Sequence, residues 1–430
     1  MYQGYYGLME LLERGIASAV EHSIANFAVV VLEGGRAVGK STLCRMMIER
    51  HGWTSLIDLS DPGVLETLRL DPLRFLRDLP SPAFIDEAQL VPELPIWVKR
   101  VVDERNGRPS QFVLTGSARL GRHQLGGSDP LAGRAARLHM WSLTPSERTH
   151  STEPLASRLF SDAFVNALLD GQADAAEWDV RSWRRGGLPG IPGILRPADT
   201  SEWHLAMGSY VDSVVPLGAG SARVDHARLL RTFRYLAANP AQQLNLARAA
   251  NELGFRAETV RNYVDALEAS FLIFRVEAHR PAEHKVLTAH PRIHVGDLGL
   301  ATWAGRFADK DPNASASGGL LENQLAHALV ATVDWAAEAI AVRHWRDQRA
   351  RREVDLLLVH ADGRCVPIEV KSSLSAGPDD TTGLRAFAAA NGEDFQRGIV
   401  AYCGNRTTDL TPSDLPARSI LAVPISRLLG

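Results

Sequence analysis

One ten-residue run limits the fold of this chain more than any other: Glu33-Gly-Gly-Arg-Ala-Val-Gly-Lys-Ser-Thr42. The run before it, Phe27-Ala-Val-Val-Val-Leu32, is apolar and rich in β-branched residues, and it reads as a buried parallel strand. The segment from Thr42 to Arg50 reads as a helix. Strand, glycine-bearing loop and helix in this order, with Gly34, Gly39, Lys40 and Ser41 at Walker A spacing, predict a phosphate-binding loop. Gly34 and Gly39 admit positive φ and close backbone approach. Successive N–H groups through Gly35, Arg36, Ala37 and Val38 are then expected to wrap phosphates at the positive end of the helix. Lys40 is expected to place a compact cation on the β- and γ-phosphates, with the Ser41 hydroxyl, followed by Thr42, as Mg²⁺ ligand. ATP and Mg²⁺ are the cofactors this pattern calls for.

The next strands extend the same reading. A second strand is expected near Trp53 to Leu59, and a third at Pro82-Ala-Phe-Ile-Asp-Glu87. An apolar strand ending in two carboxylates suits a Walker B element, in which Asp86 holds Mg²⁺ through water and Glu87 polarises the attacking water. Gln111-Phe-Val-Leu-Thr-Gly-Ser117 reads as a fourth strand, with Thr115 or Ser117 at the end where open parallel sheets bind ligands. Leu131-Ala-Gly-Arg134 offers an arginine with two readings, a finger that reaches a neighbouring subunit's nucleotide or a solvated surface side chain.

At 430 residues the chain calls for two or three domains. Its 45% hydrophobic and 23% charged residues are those of a globular chain. Cys44, Cys365 and Cys403 stand far apart and fit neither a disulfide framework nor a zinc spacing. No run nears the roughly 20 apolar residues of a membrane span, so the expected setting is cytoplasmic with no membrane partner. A net charge of -3 means that any DNA contact must rest on local basic patches. Lysine occurs only at Lys40, Lys99, Lys285, Lys310 and Lys371, so two of the five fall in motifs.

Gly34 to Thr42, Asp86-Glu-Ala-Gln-Leu-Val-Pro-Glu-Leu94, Leu114-Thr-Gly-Ser117 and Leu131-Ala-Gly-Arg134 together resemble the bacterial and archaeal AAA-type ATPases whose C-terminal half is a domain of unknown function. The resemblance continues through Gly186-Gly-Leu-Pro189, Leu320-Leu-Glu-Asn323, Glu353-Val-Asp355 and Ile368-Glu-Val-Lys371. It departs at Gly35 and Ala37, where the family usually has proline and glutamine, and it is weak over about 151–182 and around Trp203 to Leu217. It implies ATP binding and hydrolysis, and an assembly in which Arg134 serves a neighbouring subunit.

The expected fold class is α/β: a P-loop domain of AAA type with a parallel sheet over 1–150, a helical linker over 151–222, a winged helix-turn-helix over 223–285, and a restriction-endonuclease-like domain over 286–430. Gly186 to Gly193 reads as a hinge. Three short helices before the strand Phe271-Leu-Ile-Phe-Arg-Val276 form the winged-helix pattern, with Arg256, Thr259, Arg261 and Asn262 facing DNA or, equally, forming a solvated face. The element order after Leu320 resembles the αβββαβ core of restriction-endonuclease-like (PD-(D/E)xK-type) domains. That resemblance implies that Asp355 and Glu369 bind Mg²⁺, that Glu322 completes the shell, and that Lys371 positions or activates the water that attacks a phosphodiester. His290, His294, His344 and His360 fit no metal spacing. Two functions follow: an ATPase that binds and cleaves or remodels DNA, or an ATP-switched adaptor that binds a partner protein through an inactive nuclease-like domain.

Overall fold

The computed structural model describes residues 12–54, 56–118, 120, 129–170, 183–194, 198–214, 225–279, 290–305, 316–347, 351–413, 415 and 419–430. The domain limits expected at 222/223 and 285/286 lie outside these residues.

Two sheets organise the chain. The first holds β1 (Val29–Glu33), β2 (Leu56–Asp58), β3 (Ala83–Asp86), β4 (Phe112–Gly116) and β5 (Ala135–His139) in the order β2-β3-β4-β1-β5. All its pairs are parallel. Parallel strands buried on both faces read as continuous apolar runs, and β1 is buried throughout. Its alternating side chains serve two cores. Val29 and Val31 face the helices 62–104, whereas Val30 and Leu32 join a larger core with Trp203, Met207, Phe233 and Val260 from the middle of the chain. One face of the N-terminal sheet and the central helices therefore share a single core.

The second sheet is mixed. It holds β6 (Gln242–Gln243), β7 (Ile273–Ala278), β8 (Arg292–Val295), β9 (Ile340–Asp347), β10 (Arg352–His360), β11 (Cys365–Lys371), β12 (Arg397–Tyr402), β13 (Thr408–Asp409) and β14 (Ser419–Pro424), in the order β13-β14-β12-β11-β10-β9-β7-β8-β6. The helices His226–Ala237, Leu246–Leu253 and Ala257–Ala269 precede β7. Because β7 pairs antiparallel with β8 and parallel with β9, a division at 285/286 would cut between strands that are hydrogen-bonded to each other. Register shifts between Val354 and Leu357 in the β9–β10 ladder. This bulge breaks the strand's alternation, so that Val354 and Leu356, two residues apart, face opposite sides of the sheet, and Asp355 sits on it.

Two stretches in the middle of the chain pack closely against the rest. Leu155, Leu159, Val165 and Leu168, expected in a linker, are buried in the C-terminal core beside Leu325 and Leu356. Gly187, within the run Gly186 to Gly193 expected as a hinge, is held on both sides. Gly187 N–H donates to Asp297 Oδ2 at 2.7 Å, and its carbonyl accepts from Leu143 N–H at 2.8 Å. A Cβ on Gly187 would come 2.1 Å from the Leu143 oxygen, so glycine here serves close packing. Among the described residues, no helix is long and apolar enough to cross a membrane.

Candidate functional site

The phosphate-loop residues stand where β1 meets the helix Lys40–His51. Gly39 (φ +101°) precedes that helix, whose N-terminus has no side-chain cap. The positive backbone end is left open for an anion. Left-handed backbone occurs at Gly39 and Ala37 (φ +59°) but not at Gly34, contrary to expectation. What demands glycine at 34 is the Met140 carbonyl, which a Cβ would approach to 2.1 Å. Gly35 and Val38 are buried, Ala37 is exposed, and Arg36, Ser41 and Thr42 are half-buried.

Lys40 is buried, and its Nζ donates to the carbonyls of Gly34 (2.9 Å) and Gly35 (2.8 Å) and to Ser117 Oγ (3.3 Å). Burial lowers its pKa to about 8 against the opposing pull of Glu87 and Asp86. Its partners are two carbonyls and a hydroxyl, all uncharged, so among the described residues no carboxylate at bonding distance neutralises the ammonium.

Asp86 ends β3 and is buried. Its Oδ1 accepts from Glu87 N–H at 3.0 Å and from the Thr115 hydroxyl. Thr115 thus orients the carboxylate, while Ser117 is the hydroxyl that meets Lys40. Glu87 follows in left-handed backbone (φ +55°), and its Oε2 accepts from Gln89 Nε2. Gln89 Oε1 in turn accepts from Ser117 N–H at 3.1 Å, closing a ring of polar side chains at the carboxyl ends of β3 and β4.

Arg134 stands elsewhere. Its carbonyl accepts from Val29 N–H, at the amino end of β1 and away from the loop, and its guanidinium grips Asp103 at 2.6 and 3.2 Å. Within its own chain it does not meet the Lys40 site.

Other residues of this site lacked a sequence signal. Arg14, buried, donates to Val38 O (2.6 Å), Trp141 O (2.8 Å) and Glu147 Oε1 (2.8 Å). Tyr210 OH donates to Arg36 O at 3.0 Å. Glu33, the last residue of β1, accepts from Arg137 at 2.9 Å and lies 3.5 Å from His139 Nε2. His139 Nδ1 lies 2.7 Å from Asp334, just past the C-terminal domain's helix Ala316–Val333. Burial opposes its charge, but Asp334 and Glu33 outweigh it and raise its pKa to about 9.

The C-terminal carboxylates do converge. Asp355 Oδ2 accepts from Val370 N–H at 2.9 Å, and Glu369 Oε1 accepts from Lys371 Nζ at 3.0 Å. The two-residue spacing keeps Glu369 and Lys371 on one side of β11. Arg292, which the motifs did not point to, sits among them. Its buried guanidinium reaches Glu322 Oε1 (2.6 Å), Asp355 Oδ1 (3.1 Å) and Glu353 Oε2 (3.4 Å). Among the described residues no group of three or more histidine, cysteine, aspartate or glutamate side chains is arranged to hold a metal ion. Glu322, Asp355 and Glu369, the residues expected to bind Mg²⁺, each stand beside a basic side chain. The Arg292 guanidinium bridges Glu322 and Asp355, and the Lys371 ammonium pairs with Glu369. Burial raises Glu369 to about 7 and Glu322 well above the carboxylate range, Asp355 adding to both. His294 and His344 are buried, which lowers their pKa values to about 3 and 4.

Comparison with known proteins agrees with the N-terminal geometry. Residues 26–149 match the model of an AAA domain. This segment is an AAA-type P-loop ATPase domain. Residues 181–311 and 317–428 match two domains of unknown function, DUF8612 and DUF4143. Uncharacterized proteins of Mycobacterium tuberculosis and Mycobacterium bovis are each 27% identical over 430 residues, covering 97% of this chain and 85% of the relative. Among solved structures, the Walker-type ATPase of Pyrococcus abyssi is similar at 16% identity, covering 68% of this chain and 96% of that one, with a TM-score of 0.42.

Proposed function

We propose that this protein is a Mg²⁺-dependent ATPase whose nucleotide cycle controls binding by its C-terminal half. The convergence of Lys40, Asp86, Glu87 and Ser117 beside an uncapped helix N-terminus carries this reading. Lys40 would leave its carbonyl partners for the β- and γ-phosphate oxygens, where a preorganised cation counts most as charge develops in the transition state. Glu87, oriented by Gln89, would take the proton of the attacking water. Asp86 fits a metal-bound water, because Thr115 and the Glu87 amide both bind the same oxygen and so fix the direction of the other. Ser41 and Asp86 would hold Mg²⁺, which neutralises phosphoryl charge when bound. Arg134 would act only on a neighbouring subunit's nucleotide.

In this proposal the three helices with β6, β7 and β8 form a winged helix that contacts DNA. Its exposed Arg256, Arg261 and Asn262 lie at or near the start of the helix Ala257–Ala269, beside the exposed acids Glu258 and Asp265. A restriction-endonuclease-like reading of the αβββαβ segment accompanies it. A second function, an ATP-switched adaptor with an inert nuclease-like domain, is favoured by Arg292 at the centre of the carboxylates. Turnover of ATP with Mg²⁺ and the salt dependence of duplex binding test the two together. About 0.9 log units of affinity lost per log unit of salt for each phosphate contacted supports the DNA reading. ATP turnover without DNA binding moves the assignment to the adaptor, and no turnover with Mg²⁺ ends both.

A further inference from the structure

The C-terminal cluster has the carboxylates of a cation site and already contains its cations. Arg292 comes from β8, next to β7 and separated from β10 by β7 and β9, yet its guanidinium bridges Glu322 and Asp355 at 2.6 and 3.1 Å. Glu353 adds a third carboxylate at 3.4 Å. Lys371 neutralises Glu369 from the other side at 3.0 Å. The bulge in β10 supports this arrangement, since it aims Asp355 so that one oxygen meets Arg292 and the other the Val370 amide.

A hard divalent cation needs about six or more oxygen ligands at roughly 2.0–2.6 Å, with carboxylates among them to balance its charge. The oxygens of Glu322 and Asp355 that such an ion would use are turned onto a planar guanidinium, which is permanently charged and satisfies them by directed hydrogen bonds. Arg292 is itself 5% exposed, so no water shell offers it another place for its charge.

We infer that Arg292 is a built-in substitute for a divalent cation: the cluster of Glu322, Asp355 and Glu369 is a latent Mg²⁺ or Mn²⁺ site that an arginine from the adjoining strand unit holds closed. The inference rests on the reading of the C-terminal domain as inert toward cleavage and gives that inertness its cause. Removing the guanidinium creates the metal site.

The test uses the full chain without nucleotide, titrated with Mn²⁺ and followed by electron paramagnetic resonance and thermal melting. Wild type is expected to show no saturable Mn²⁺ binding that Asp355→Asn removes. Arg292→Ala is expected to gain one site at least about 10-fold tighter than any wild-type binding, with a melting temperature that rises with Mn²⁺, and Asp355→Asn in the same chain should erase both. Arg292→Gln, closer in volume and polarity, should show the same gain. If the variants fold only when Mn²⁺ is supplied, that dependence supports the inference. Variants that fold without gaining the site, or that stay unfolded with Mn²⁺, overturn it. Wild-type Mn²⁺ binding lost in Asp355→Asn overturns it as well, whereas Mn²⁺-dependent DNA cleavage by wild type removes the inert-domain reading on which it rests.

Discussion

The two halves of the chain each bring a lysine and acidic side chains to a strand end, and they handle the charge in opposite ways. At the N-terminal site, Lys40 is satisfied only by carbonyls and a hydroxyl, Asp86 is held by a hydroxyl and an amide, and the helix N-terminus beside them has no side-chain cap. At the C-terminal site, Lys371 is bound to Glu369, and Arg292 bridges Glu322 and Asp355. The first site has charge to offer a ligand. The second pairs its charges with one another and leaves Glu369 Oε2 buried without a hydrogen-bond partner. Similar residue types therefore mark a reactive site only where the fold leaves their interactions unfinished.

The comparison breaks first at the buried cluster. Glu322→Ala should cost about 3 kcal/mol of stability in chemical denaturation, because it strands part of a buried guanidinium, while ATP turnover stays at the wild-type level. A loss below about 1 kcal/mol would mean that water already screens the cluster.

At the N-terminal site, Lys40→Ala should lower ATP turnover by roughly 10²-fold or more, about 2.7 kcal/mol of transition-state stabilisation. Glu87→Gln should retain ATP binding and slow hydrolysis. Equal loss of binding in the two variants would end the division of roles between cation and base.

The link between the halves is sharpened by pH. The folded-state pKa of His139 is raised to about 9 from an ordinary 6.5, so its contribution is complete below about 6.5 and fades as pH rises through about 9. Discounted for partial exposure, it is on the order of 1–2 kcal/mol. Asp334→Asn should flatten the stability profile between pH 6.5 and 9, and an unchanged slope would remove the bridge from Glu33 to the C-terminal helix.

The smallest effect concerns Arg134, whose ion-pair partner is Asp103. If subunits assemble through the ATPase domain, mixing Arg134→Ala with Lys40→Ala chains should restore some turnover. Sedimentation as a monomer with ATP, together with normal turnover by Arg134→Ala, would leave it a surface side chain.

Local signals were sufficient where chemistry and sequence distance coincide. The apolar run before Gly34, the Gly39-Lys40-Ser41 turn, the strand ending at Asp86 and the helix beginning at Ala257 all carry their cause within a few residues: β-branched burial, a phosphate-loop spacing, a change of hydrophobic period. Thr115 and Ser117 could not be ranked from sequence, because both lie at one strand end and only the approach of Asp86 and Lys40 separates them. Gly186 to Pro189 has the composition of a hinge because glycine and proline break helices, yet the same glycines also let Leu143 and Asp297 pack close.

The sequence by itself determined that an AAA-type P-loop domain lies at the N-terminal end and that a second set of carboxylates and a lysine lies far downstream. Only the tertiary structure decided whether that second set is open. Arg292 is 30 residues from Glu322 and 63 from Asp355, and it reaches them because β7 joins β8 to β9 in one sheet. An ion pair between such distant positions leaves no periodicity or spacing to read, since Coulomb attraction depends on separation in space and not along the chain.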